Sequence, residues 1–241
     1  MSGHSKWTQI KHKKAATDQK RGQLFGKLTK IITVAAHENP DPKTNLKLRS
    51  AIEQARKYNM PNDNINRILK KIEEKTEDRL YELLLEAIGL GNTAILIEVI
   101  TDNKNRSINE IKTLLQKNNA RMVKEGSVLW MFKKVGVIHV LCNDIRTNQD
   151  EFQLRLMELG VEDINKEEEL FTIYTDPESL YVIRGAIEQL HVPIQETKLE
   201  FIPLTFTSPH KISVSEQLER LYKLISEHED VQEIFSNEKR E

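Results

Sequence analysis

The sequence predicts an α+β protein in which an N-terminal three-helix domain precedes two small α/β-sandwich domains, one ferredoxin-like and inserted into the other. Three observations predict it. Apolar residues recur at helical spacing from Leu24 to Ile72. From residue 80 the pattern changes to that of strands. Residues 136–203 then run β-α-β-β-α-β, the ferredoxin-like order.

The first helix is read from Gly22, with Leu24, Leu28, Ile31 and Ala35 on one face and Phe25 and Ile32 beside them. Asn39-Pro40-Asp41-Pro42 stops it, because proline cannot continue a helix and disfavours helical backbone in the residue before it. A second helix, roughly 44–58, uses Leu46, Leu48, Ile52 and Ala55. A third opens at Pro61 with Asp63 in its first turn and buries Ile65, Ile68, Leu69 and Ile72. Residues 80–88 and 93–101 read as strands joined at Gly89-Leu90-Gly91. The second is apolar on both faces, which places it centrally in its sheet. Ser107-Ile108-Asn109-Glu110 has the form of a capping box that begins a helix, and residues 126–132 read as a further strand.

The ferredoxin-like stretch begins with a strand at 137–141, followed by a helix lined by Phe152, Leu156 and Leu159 that Gly160 ends. Two strands flank a polar turn at 165–169, and Asp176-Pro177 caps a helix carrying Leu180, Ile183, Ile187 and Leu190. Residues 191–202 hold the last strand of this unit. A second capping box, Ser213-Val214-Ser215-Glu216, precedes Leu218, Leu221 and Ile225, and a short strand spans 231–235. These final elements find a partner only by returning to the earlier sheet. The expected domains are therefore 1–75 (a basic arm, 1–21, plus helices), 76–133 with 206–241, and 134–205 between them.

Charge is polarised along the chain. The formal net charge is −1 over 241 residues, yet residues 1–71 carry sixteen Lys/Arg against five Asp/Glu, a balance of +11. Residues 72–241 carry twenty against thirty-two, a balance of −12. The first 30 residues alone hold eight Lys/Arg and one acid, Asp18, so a polyanion is the natural partner of this end. Lys6, Lys13, Lys20 and Lys27 are spaced by seven, as are Trp7, Lys14 and Arg21, so on one continuous helix each set forms a stripe. The stripe at Lys13 and Lys20 would lie within about 50° of the face that Leu24, Leu28 and Ile31 bury. One helix should not pack both, and so the arm is expected to stay free of the core up to Gly22.

The candidate nucleic-acid-binding residues are Lys6, Trp7, Lys11, His12, Lys13, Lys14, Lys20, Arg21 and Lys27. Ammonium and guanidinium groups grip phosphates, and an indole beside them stacks on a base. Arg67, Lys70 and Lys71 on the third helix offer a second basic surface, although a bundle helix is the simpler reading.

The remaining composition narrows the function. Cys142 is the sole cysteine, which excludes an internal disulfide and a Cys-rich zinc module. No histidine stands at metal-ligand spacing, Gly89-Leu90-Gly91 lacks the rest of a dinucleotide loop, and neither a P-loop nor a Gly-x-Ser-x-Gly elbow is present. The expectation is a non-enzymatic protein with no catalytic residue, metal, cofactor or small-molecule substrate. No apolar segment reaches signal-peptide or membrane-span length, so a cytoplasmic protein without a membrane partner is expected.

Several runs carry a resemblance. Met1-Ser2-Gly3-His4-Ser5-Lys6-Trp7, Ile10-Lys11-His12-Lys13-Lys14-Ala15-Ala16 and Lys20-Arg21-Gly22 closely resemble the opening of the YebC/PmpR family. So do Asn59-Met60-Pro61 through Asn64-Ile65, Thr101-Asp102-Asn103 with Asn105-Arg106, and Gly126-Ser127-Val128 through Trp130-Met131-Phe132. The resemblance implies three domains, a cytoplasmic location and a nucleic-acid-binding regulator. Members are usually described as DNA-binding transcriptional regulators. The mitochondrial translational activator of cytochrome oxidase is similar to the same family, and some bacterial members are thought to act at the ribosome. DNA is thus the first partner implied, ribosomal RNA or tRNA the alternative, with a ribosomal or protein partner for the acidic domains. The chain departs from the family in replacing glycines, notably at Gly89-Leu90-Gly91-Asn92 and Asn118-Asn119-Ala120. Asparagine tolerates positive φ, so these turns can survive.

Overall fold

The computed structural model describes residues 18–37, 39–76, 79–145, 148–167, 169–208 and 212–239, with backbone alone at 18–20 and 212. They divide into two units, 18–132 with 203–239 and 133–202.

The first unit opens with α1 (Asp18–His37), α2 (Leu46–Lys57) and α3 (Asn62–Glu73), which close on Leu28, Ile32, Leu48, Ile52, Ile65 and Ile72. Asn45 caps α2 by accepting the Leu48 N–H at 2.9 Å, and its amide donates to the Ala35 and Asn39 carbonyls at 2.7 and 2.6 Å. One side chain therefore fixes both the end of α1 and the start of α2. The helix α2 ends on Asn59 at φ 59°, with the Asn59 and Met60 N–H groups donating to the Arg56 and Ala55 carbonyls at 2.8 and 3.0 Å. This left-handed closure buries Met60 and delivers Pro61 to the start of α3.

Next come β1 (Tyr81–Ile88), β2 (Ala94–Thr101), α4 (Lys104–Lys117) and β3 (Arg121–Met122). After the second unit the chain returns with α7 (Ile212–Ser226) and β8 (Val231–Ser236). The sheet is antiparallel in the order β3-β1-β2-β8, so the strand that is apolar on both faces is indeed internal. Helices α4 and α7 cover one face, setting Ile111, Leu115, Leu218, Leu221 and Ile225 against Ile95, Ile97 and Val99. Asn92 and Asn119 take φ 59° and 57°, the left-handed backbone that asparagine tolerates, so both turns close without glycine at these positions.

The second unit contains β4 (Phe132–Leu141), α5 (Gln149–Glu158), β5 (Asp163–Lys166), β6 (Leu170–Thr175), α6 (Leu180–Gln189) and β7 (Ile194–Pro203). Its sheet order, β5-β6-β4-β7, is that of the ferredoxin-like fold. Ile138, Val140, Phe171 and Ile173 pack under Phe152, Leu156, Ile183 and Ile187. Gly136 is required by close approach, since a Cβ there would lie 2.3 Å from Thr175 Oγ1. Charges on this sheet are matched internally: His139 Nδ1 lies 3.3 Å from Glu196, and Lys198 reaches Glu196 and Glu200 at 3.2 and 2.7 Å. Burial opposes ionisation of Glu196, but His139 and Lys198 outweigh it and hold the carboxyl well below its usual range.

Five local expectations are corrected. Helix α1 begins at Asp18 and passes through Gly22 unbroken. Helix α4 begins at Lys104, capped by the Asn103 side chain accepting the Arg106 N–H at 3.1 Å, so Ser107 is an interior residue and not a cap. Helices α6 and α7 begin at Leu180 and Ile212, which removes Asp176 and Ser213 from the cap position; Asp176 instead accepts the Glu178 N–H at 2.8 Å. Residues 126–131 form a turn and a short 3-10 turn (Leu129–Met131), because a buried carboxylate engages the N–H groups that a strand would pair.

Candidate nucleic-acid interface

Of the nine candidate residues, Lys6, Trp7, Lys11, His12, Lys13 and Lys14 lie outside the described residues, as does the side chain of Lys20. Arg21 is exposed on the first turns of α1, its guanidinium 5.3 Å above the Phe25 ring. That stacking leaves the outer edge of the fork facing water.

Lys27 is placed differently from the sequence reading. It is only 4% exposed, and its ammonium donates to the Ser226 carbonyl at 2.7 Å. A phosphate cannot reach it there, so it leaves the candidate set. The expectation that one helix should not pack both the lysine stripe and the Leu24, Leu28 and Ile31 face fails at Lys27, since a carbonyl at the end of α7 accepts the ammonium. This acceptor is 199 residues away in sequence and had no local signal.

One turn further on, Lys30 pairs with Asp230, whose carboxylate is fully buried at the entry to β8. The same carboxylate accepts from Ser107 Oγ at 2.6 Å and from Arg106 at 3.3 Å. Arg106 also holds Asp102 at 2.8 Å, and Ser107 Oγ, its own proton given to Asp230, accepts from Thr101 Oγ1 at 2.7 Å. The Asp230 N–H donates to His228 Nδ1 at 3.2 Å, leaving Nε2 to carry the proton towards Glu110 at 2.9 Å. Burial opposes the charge on Asp230; Lys30, Ser107 and Arg106 overcome it and depress the carboxyl below its ordinary value. The Thr101–Arg106 run is therefore a structural joint between α1, α4 and the α7–β8 connection.

Helix α3 presents Arg67, Lys70 and Lys71 to solvent, with Lys70 3.6 Å from Glu74. The corner before it is braced by Arg56 Nε donating to Asn62 Oδ1 at 3.1 Å.

A feature absent from the sequence reading lies at the β3 edge. Residues 111–124 contain Lys112, Lys117, Arg121 and Lys124 and no acid, within the half of the chain that is otherwise acidic. All four are exposed. The loop that follows is fixed by Glu86, on the β1 face turned away from α4 and α7. Its buried carboxylate accepts the N–H groups of Gly126, Val128 (2.6 Å) and Leu129 (3.0 Å). Trp130 then stands 65% exposed, its Nε1 donating to the Ser127 carbonyl at 3.0 Å. The acid-free run 111–124 was a signal for the cations, whereas the outward display of Trp130, beyond Glu125, had no local signal.

Among the described residues no group of His, Cys, Asp and Glu side chains is arranged to hold a metal ion, and no helix is long and apolar enough to cross a membrane.

Comparison with known proteins covers nearly the whole chain. A family profile described as the TACO1/YebC protein N-terminal domain matches residues 5–75, and one described as the TACO1/YebC second and third domain matches residues 80–238. A probable transcriptional regulatory protein of Halothermothrix orenii is 41% identical over 239 residues, spanning 98% of this chain and 94% of the relative. One from Syntrophomonas wolfei is 38% identical over 240 residues, spanning 98% and 96%. The crystal structure of a conserved hypothetical protein from Aquifex aeolicus superposes with a TM-score of 0.83 at 34% identity, covering 98% of this chain and 97% of that one.

Proposed function

The chain belongs to the TACO1/YebC family, and from that premise we propose that it is a non-enzymatic, cytoplasmic regulator of transcription that binds DNA through its Lys-rich N-terminal arm. One observation carries the reading: a balance of +11 over residues 1–71 against −12 over the rest. A cationic end on an acidic body concentrates the attraction for phosphate at one place and keeps the body off the polyanion. The relatives' names, probable transcriptional regulatory proteins, support a regulatory role. Within the arm the phosphate-gripping set is Lys6, Lys11, Lys13, Lys14, Lys20 and Arg21, with Trp7 and His12 beside them. Lys27 and Lys30 act in the fold. Lysines on phosphates carry no sequence information, so binding to random DNA is the expected behaviour. A mobility-shift titration of random-sequence duplex DNA should give retardation that weakens steeply with salt. Unretarded DNA at low salt, with protein in large excess, would remove this reading.

A second reading, a translation factor bound to RNA or the ribosome, is favoured by the exposed Trp130, which follows a run, residues 111–124, holding four exposed cations and no acid, with Glu125 between the run and the indole. Unpaired bases are more available in RNA than in duplex DNA. Sedimentation of lysate through sucrose separates the two: co-migration with ribosomes that survives DNase favours translation, and absence from ribosomal fractions rejects it.

A further inference from the structure

We propose that Trp130 is a stacking platform for an unpaired base of a single-stranded nucleic acid whose phosphates lie along Lys117, Arg121 and Lys124. The inference rests on the nucleic-acid reading above and adds to it a contact separate from the arm.

Two features of this loop oppose folding stability, and neither is needed to close the core. An indole 65% exposed forgoes most of the burial that a large aromatic supplies. A carboxylate only 3% exposed at Glu86 must be compensated, and three backbone N–H groups of the Gly126–Leu129 turn supply that compensation. The result is a turn of fixed shape that holds its aromatic outward. The indole is fixed as well, because its N–H is tied to Ser127 of the same turn at 3.0 Å. With its polar edge engaged, the ring has its faces left to offer, and a nucleobase is the flat partner that stacks on them. Preorganisation lowers the ordering cost of such a contact.

Charge decides between a base and an apolar peptide. Lys117, Arg121 and Lys124 are exposed, and none of them pairs with a carboxylate of the described residues. The Lys124 carbonyl accepts the Ser127 N–H at 3.1 Å, so this cation and the indole belong to one turn. A strand whose base lies on Trp130 therefore finds cations for its neighbouring phosphates, whereas an apolar peptide gains nothing from them. Bases within a duplex are stacked on each other and cannot enter. Leu204 is also exposed, and its N–H donates to the Met131 carbonyl next to Trp130 at 2.8 Å, which places an apolar residue beside the loop.

The chain has two tryptophans, so Trp7→Phe leaves Trp130 as its sole indole emitter. That variant is titrated with an oligouridylate of about a dozen nucleotides and, separately, with heparin, which is a polyanion without bases. Oligouridylate should quench the emission and heparin should bind without quenching it. In the wild-type background Trp130→Ala should weaken oligouridylate about tenfold or more by fluorescence anisotropy, leaving heparin affinity and the melting temperature unchanged. Oligouridylate that binds without quenching, or that binds Trp130→Ala at full affinity, overturns this inference while the arm reading stands. Failure of the wild-type chain to bind any of these polyanions overturns both.

Discussion

Two buried carboxylates, Asp230 and Glu86, do opposite things in this molecule. Asp230 is met by side chains, Lys30, Arg106 and Ser107, that come from α1 and α4. Glu86 is met by main-chain N–H groups of a single loop. The first arrangement engages Lys30 of the basic helix α1 and joins the helical bundle to the first sheet. The second takes no cation and displays an aromatic beside several. A basic residue near this N-terminus is thus not automatically a nucleic-acid contact, because what matters is whether the fold has already supplied its counter-charge.

The largest effect is expected at Asp230. Asp230→Asn leaves Lys30 and Arg106 around an uncharged amide and should cost about 3 kcal/mol in urea unfolding. A loss below about 1 kcal/mol would mean that the joint is ornamental. The pH dependence follows from the same group. Its carboxyl is depressed in the folded state, so its contribution is complete above the ordinary carboxylate range and fades only as acid carries the pH below about 4. Stability profiles of wild type and Asp230→Asn should therefore converge in acid and run parallel between about pH 5 and 8.

A smaller loss is expected from Glu86→Gln. The amide keeps one acceptor oxygen and loses the charge, leaving N–H groups of the turn less well satisfied, for an expected loss of about 2 kcal/mol. Trp130 emission anisotropy should fall in this variant as the turn loosens, and an unchanged anisotropy would deny Glu86 its positioning role. The smallest effect is expected at Trp130 itself. Trp130→Ala should alter stability by less than about 0.5 kcal/mol, as for an exposed residue outside any core, and a larger loss in thermal melts would reassign the indole to packing.

Periodicity made the architecture legible. The α1–α3 bundle, the doubly apolar β2 and the β-α-β-β-α-β order of the second unit each follow from spacing that survives in the structure. Insertion of one sheet domain into the other was legible too, because α7 and β8 had no other strand to join. Cap positions were less so. Ser107-x-x-Glu110 has the form of a capping box, but Asn103 lies four residues earlier and takes the role, freeing Ser107 to meet a carboxylate 123 residues away. The strand read at 126–132 failed for the same kind of reason, since its N–H groups answer to Glu86, some forty residues earlier. The site followed this division. The arm's charge was visible in composition, whereas the engagement of Lys27 and Lys30 and the display of Trp130 depend on partners that only tertiary structure brings near.

The direct measurement is anisotropy of a labelled oligonucleotide against salt, for the full chain and for a chain beginning at Asp18, which keeps α1 intact. With about six phosphates neutralised, the full chain should show a log–log salt slope of about −4 on single strands and −5 on duplex DNA. The shortened chain should melt at the same temperature and lose nearly all of this affinity. Equal affinity and equal slope for the two chains would contradict the account.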